Sequence, residues 1–141
     1  METQQKTIVT IESTVNAPID KIWLYWSLPQ HITKWATASE EWHTPRAEND
    51  LRTGGSFNSR MEAKDGSMGF DFGGVYDAVE KNKHIAYTMG DGRKVDIKFN
   101  TEGNSTHIIQ KFEAEEMNPV EMQRGGWQAI LNNFKAYTEA N

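Results

Sequence analysis

The chain has no cysteine among its 141 residues. That removes disulfides, a thiolate nucleophile and any cysteine-ligated zinc site from consideration, and it fits a reducing compartment. Long apolar runs are missing too. The opening, Met1 to Lys6, is polar and has no apolar stretch of signal-peptide length, and no segment approaches the roughly 20 apolar residues of a membrane-spanning helix. A soluble, cytoplasmic protein without membrane insertion is the expectation. Positive charge is also in short supply: the net charge is −5, and the Lys and Arg residues are scattered rather than clustered. This argues against a phosphate-binding surface and hence against nucleic acid as a partner. There is no internal repeat, low-complexity segment or linker, and the length suits one domain over residues 1–141. A nucleophile motif, a Gly-rich phosphate loop and a paired-carboxylate constellation are all lacking. His31, His43, His84 and His107 show no metal-ligand spacing. No metal, no cofactor and no catalytic residue are therefore expected.

What the chain does have is five tryptophans and six methionines, bulky and adaptable apolar groups for a core or for the lining of a cavity. Thr7 to Val15 alternates and is rich in β-branched residues, which reads as a strand. Asn16-Ala17-Pro18 stops it and opens a helix, with Pro18 in the first turn, Asp20 near the N-terminal dipole, and Ile19, Ile22, Trp23 and Trp26 in one stripe. Ser27-Leu28-Pro29 breaks that helix, and a second short one follows to about Trp35 with Ile32 and Trp35 inward.

From Trp42 the texture changes to period two with glycine-marked turns. Trp42 to Asn49 contains Pro45, so it is an edge strand or irregular. Residues 56–64, 68–79, 85–89, 95–99 and 106–114 alternate as strands, separated by Asp65-Gly66, Glu80 to Lys83, Asp91-Gly92 and Gly103-Asn104. Gly73-Gly74 marks a bulge or a close backbone approach inside one of them. The last segment, Pro119 to about Thr138, places Val120, Trp127, Ile130, Leu131, Phe134 and Tyr137 or Thr138 on one face of a helix about 30 Å long. Burying Trp127, Ile130, Leu131 and Phe134 there contributes about 6–12 kcal/mol as an upper bound. Gly125 and Gly126 oppose it by about 1 kcal/mol each. They mark where the helix either stands away from the sheet or is closely approached.

An antiparallel sheet with one apolar face needs a cover, and this helix is the only element long enough to supply it. The fold class is α+β: a curved antiparallel sheet wrapped around a long C-terminal helix, with two short helices after the first strand. Space remains between sheet and helix wherever the packing side chains are small. The candidate ligand-binding residues are Phe57, Ser59 and Met61, then Phe70, Phe72 and Tyr76, then Tyr87, Met89 and Phe99, then Gln110, and finally Met122, Gly126, Trp127 and Leu131. Ser59 and Gln110 share the inward parity of apolar neighbours, where they orient a ligand or bond nearby backbone. Arg60 and Asp71 take the opposite parity; inside a cavity they would suggest acid–base chemistry on a carbonyl ligand.

Several local motifs, in order, resemble a known family. They are Asn16-Ala17-Pro18-Ile19-Asp20-Lys21-Ile22-Trp23, Trp35, Leu51-Arg52-Thr53-Gly54-Gly55, the run from Gly74 to Val79 leading into Ile85 to Thr88, and the run from Gly126 to Phe134. The chain resembles the helix-grip fold of the Bet v 1/START-like superfamily, and within it the family related to the C-terminal domain of the activator of Hsp90 ATPase. The resemblance spans nearly the whole chain. It implies a cavity between the long helix and the sheet that holds a small apolar ligand, lipid-like or polycyclic aromatic, and it brings no invariant catalytic set. Binding of such a molecule is the expected function. The rivals are an Hsp90-type co-chaperone, acting through its surface with the chaperone as partner, and a polyketide cyclase-like enzyme. Hsp90 activators carry a further domain before this one, whereas this chain opens almost at its first strand, so the co-chaperone role is expected to be secondary.

Overall fold

A computed structural model describes residues 7–141. The polar opening read above, residues 1–6, lies outside the described residues. The elements run β1 (Ile8–Val15), α1 (Ile19–Ser27), α2 (Pro29–Trp35), β2 (Trp42–Asn49), β3 (Ser56–Ala63), β4 (Gly69–Glu80), β5 (His84–Met89), β6 (Lys94–Glu102), β7 (Ser105–Glu113) and α3 (Val120–Ala140). The strands form one antiparallel sheet in the order β1-β7-β6-β5-β4-β3-β2. Six strands meander from β2 to β7, and β1 closes on the far side of β7. The sheet curls into a half-barrel, with α3 in its concave face and α1 and α2 at one end.

Alternation fixes which face is inward. Val9, Ile11 and Val15 on β1, Val95, Ile97 and Phe99 on β6, and Ile108 and Phe112 on β7 are all buried. Leu131, Phe134 and Thr138 are the fully buried residues of α3. Phe134 sits between Trp26 and Trp35, with ring centroids 4.9 and 5.0 Å away. One aromatic knot thus joins all three helices. Pro18 and Pro119 are cap residues with extended backbone (ψ 155° and 141°), one position before the helices rather than inside their first turns.

The turns take the residues their geometry requires. Gly66, Gly92 and Gly103 adopt positive φ at the three hairpins where sequence placed them, and β2 is an edge strand, irregular between His43 and Arg46 around Pro45. The glycine pair in β4 is a close approach and not a bulge. Gly73 and Gly74 keep regular pairing with β3, but a Cβ at Gly74 would collide with the Thr88 carbonyl oxygen, and one at Gly73 would lie 2.7 Å from that of Phe57. The register shift comes later, between Tyr76 and Ala78. There it turns Val79, rather than Ala78, onto the core.

Gly125 and Gly126 in α3 behave in the opposite way: a Cβ at either meets nothing within 4 Å. Gly126→Ala should therefore raise the unfolding free energy by up to about 1 kcal/mol through helix propensity. Gly74→Ala should lower it by about 1–3 kcal/mol through overpacking. Chemical denaturation reads both, and equal effects at the two positions would contradict the packing described.

Candidate functional site

α3 runs closest to β1 and touches α1 and α2. Where β3, β4 and β5 face it, the two layers separate and leave a cavity of about 290 Å³. Its walls come from every layer: Trp26, Ile32, Trp35 and Ala36 from the α1–α2 end, Phe57, Ser59 and Met61 from β3, Phe70, Phe72 and Tyr76 from β4, Tyr87 from β5, Gln110 from β7, and Trp127, Ile130 and Leu131 from α3. Asn49, Glu48 and Arg93 complete the lining. Trp127 is held by parallel stacking on Phe112 at 4.1 Å and meets Phe72 edge-on at 6.0 Å. Phe70 is 48 % exposed and stands at the rim, 5.8 Å from the Trp42 ring.

Of the residues expected from sequence, Phe57, Ser59, Met61, Phe70, Phe72, Tyr76, Tyr87, Gln110, Trp127 and Leu131 come together on this wall. Four do not. Met89 and Phe99 have inward parity but sit in filled core; Phe99 is held edge-on by Trp23 and Trp26 at 5.5 and 5.4 Å. Parity says which face a side chain occupies, not whether the space opposite is already full. Met122 is 64 % exposed and Gly126 lies off the wall. The inward face of α3 carries Trp127, Ile130, Leu131 and Phe134, and positions 126 and 122 fall about 90° and about 130° to its side. The lining from α1 and α2 was missed as lining, although its inward stripe was readable. Asn49 and Arg93 carry no local signal that points to a cavity.

The polar inventory divides in two. The Tyr76 hydroxyl donates to Asn49 Oδ1 at 2.5 Å, and Asn49 Nδ2 donates to the Ser27 carbonyl at 2.7 Å. This chain ties β4 through β2 to the end of α1. Arg93 is likewise committed: its Nε donates to Asp91 Oδ2 at 2.8 Å and its Nη1 to the Glu113 carbonyl at 3.3 Å. By contrast, Ser59, Tyr87 and Gln110, only 6, 6 and 7 % exposed, have no side-chain hydrogen-bond partner among the described residues. The expected alternative, that Ser59 and Gln110 bond nearby backbone, is not what the structure shows. Their polar atoms stay open to the cavity, unlike Thr138 Oγ1, which is closed off without a partner.

Apart from Arg93 and the rim carboxylate of Glu48, the charged groups near the site lie outside it. Arg60 points away from the cavity, 3.0 Å from Glu62 and 3.7 Å from Asp71. Glu48 occupies the exposed rim. His31 meets the Tyr137 hydroxyl at 2.7 Å, while His84 and His107 pair with Asp96 and Glu12 at 2.6 and 2.9 Å. Among the described residues, no three His, Asp or Glu side chains gather as metal ligands. The wall is mostly aromatic and aliphatic, with amide and hydroxyl groups, the ion-paired Arg93 and, at the exposed rim, Glu48.

Comparison with known proteins places this geometry. The family model described as "Activator of Hsp90 ATPase homolog 1-like protein" matches residues 16–139. The solution structure of an AHSA1-like protein from Aeromonas hydrophila shares 41 % identity and a TM-score of 0.89, covering 95 % of this chain and 93 % of that one. A solution structure from Cytophaga hutchinsonii shares 60 % identity and a TM-score of 0.81, covering 94 and 92 %. A crystal structure from Chromobacterium violaceum, 20 % identical with a TM-score of 0.84 and covering 95 and 98 %, shows the same fold. No curated protein matches.

Burial pushes the Tyr76 and Tyr87 phenols far above their ordinary value; for Tyr87 the Tyr76 phenol adds to this and the Arg93 guanidinium opposes it. In the unfolded chain both ionise near pH 10. Their folded values are the higher ones, so their contribution to stability is complete below that pH and is lost as pH rises beyond it. Ultraviolet titration should show at least these two of the four tyrosines resisting ionisation until the chain unfolds. Ionisation of all four together near pH 10 with the fold intact would contradict their burial.

Proposed function

The chain belongs to the Activator of Hsp90 ATPase homolog 1-like family, and on that premise we propose that it binds a small apolar molecule, lipid-like or polycyclic aromatic, in the cavity between α3 and strands β3–β5. The observation that carries this reading is the mismatch in the cavity wall. Ser59, Tyr87 and Gln110 are more than nine-tenths buried, face an otherwise apolar space and lack protein partners. A solid core would have filled that space and paired those groups. The volume lies at the lower end of the range for small-molecule sites. Aromatic area supplies the affinity, while the polar groups set orientation. A cytoplasmic location belongs to the same reading, supported by the lack of cysteine. Among the described residues, no helix is long and apolar enough to cross a membrane.

An Hsp90-type chaperone as partner is the second reading, favoured by the family match. It works through the exposed surface, so the cavity wall would be indifferent to it. The two are separated by N-phenyl-1-naphthylamine, a neutral apolar fluorophore. Its emission should rise with the wild-type protein in a saturable way. Ile130→Trp, which fills the cavity from α3, should weaken that binding at least tenfold (about 1.4 kcal/mol or more) without lowering the melting temperature. If the variant binds the probe as well as wild type, the cavity is not the site. If the wild-type protein neither enhances the probe nor carries a co-purified molecule in native mass spectrometry, the binding reading fails.

A further inference from the structure

Resting on that reading, we infer that the cavity selects neutral ligands bearing a hydrogen-bond-accepting oxygen, a carbonyl above all, and that the Tyr87 hydroxyl is the group that receives it. Tyr87 lies in the middle of the sheet, paired with Tyr76 on one side and Val95 on the other. The rings of Phe57, Phe72 and Tyr76 surround it nearly edge-on at 4.8, 6.5 and 6.2 Å, with interplanar angles of 77, 85 and 89°. Those rings fix its direction, so its hydroxyl needs no protein bond to hold it. It is 6 % exposed, it lines the cavity, and it has no hydrogen-bond partner among the described residues. A phenol is an effective donor only while protonated, and burial keeps this one protonated well beyond neutral pH.

The charge inventory decides against an anionic ligand. Arg93, the cation on the lining, has its guanidinium committed to Asp91 and the Glu113 carbonyl. The other charged lining residue is the carboxylate of Glu48 at the rim. A ligand carboxylate would leave water without gaining a free cation, which is strongly unfavourable. Ser59 and Gln110 lie on β3 and β7, to either side of β5. They add neutral donors around the same space. Their hydroxyl and amide can also accept, whereas Arg93, whose charge reaches Tyr87, is already held by Asp91 and the Glu113 carbonyl.

Three naphthalenes of nearly equal shape test this: 2-ethylnaphthalene, 2-acetylnaphthalene and 2-naphthoate, titrated by calorimetry and by NMR into wild-type protein and Tyr87→Phe. Wild type should bind the acetyl compound about fivefold more tightly than the ethyl one, the worth of one neutral hydrogen bond. It should bind the naphthoate at least tenfold more weakly than the acetyl compound. Tyr87→Phe should abolish the acetyl advantage and leave the ethyl compound's affinity unchanged. The lost hydroxyl has no protein partner, so the variant should melt at or above the wild-type temperature. Equal wild-type affinities for acetyl and ethyl, or equal weakening of both by the substitution, would overturn the role of Tyr87 while leaving the cavity as a binding site. Tightest binding of the naphthoate would overturn the selection for neutral ligands. Failure of all three to shift resonances of the cavity wall would overturn the binding reading itself.

Discussion

A sheet of seven strands is wider than one helix. At about 4.8 Å per strand it spans roughly 29 Å, against about 10 Å for a helix with its side chains. The sheet narrows this difference by curling, and α1 and α2 close one end. Even so, α3 must choose where to lie. It lies along β1, fixed by Trp127 stacked on Phe112 and by Phe134 locked between Trp26 and Trp35. Everything distinctive about the molecule follows from that choice. The half of the concave face formed by β3, β4 and β5 is not packed flush against α3, which reaches it through the edge-on contact of Trp127 with Phe72. Large aromatics lean into the gap without closing it.

The gap is not lined as an accidental void would be. Empty cavities in proteins are apolar, and buried polar groups are nearly always paired. This wall instead pairs Tyr76 firmly through Asn49 to the end of α1 and leaves Ser59, Tyr87 and Gln110 open. The paired tyrosine stabilises the frame. The open groups face the cavity with their donors and acceptors uncommitted. Charge is treated as carefully: Arg93 is neutralised where it meets the cavity, and Arg60, Glu62 and Asp71 satisfy one another on the outer face. The solved relatives at 41 and 60 % identity share the fold. The wall's own chemistry speaks to the ligand more directly than the fold does.

Most of this frame was legible in the sequence because period-two patterning is unambiguous where turns are marked by glycine. The alternation of Phe57, Ser59 and Met61 against their neighbours, and that of Phe70, Phe72 and Tyr76, placed those side chains on the inner face. Pro29 to Trp35 announced α2 with its two inward residues. The failures have specific physical causes. Phe99 and Met89 share the parity of lining residues, but only three-dimensional packing decides that α1 fills the space opposite Phe99. Gly125 and Gly126 read as the place where the helix stands away from the sheet or is closely approached, yet they lie to the side of the buried stripe with open space around them. The structure supplies no packing reason for either. Arg93 reaches the cavity from a hairpin whose Asp-Gly signal marks a turn and nothing more.

The central claim is that the space between α3 and the middle of the sheet is a ligand site. Intermolecular nuclear Overhauser effects with 2-acetylnaphthalene address it most directly. The account predicts cross-peaks from the naphthalene protons to the rings of Phe72, Tyr87 and Trp127 and to the Ile130 methyls. Cross-peaks confined to exposed apolar residues such as Met68 and Met122, with none to that wall, would contradict it.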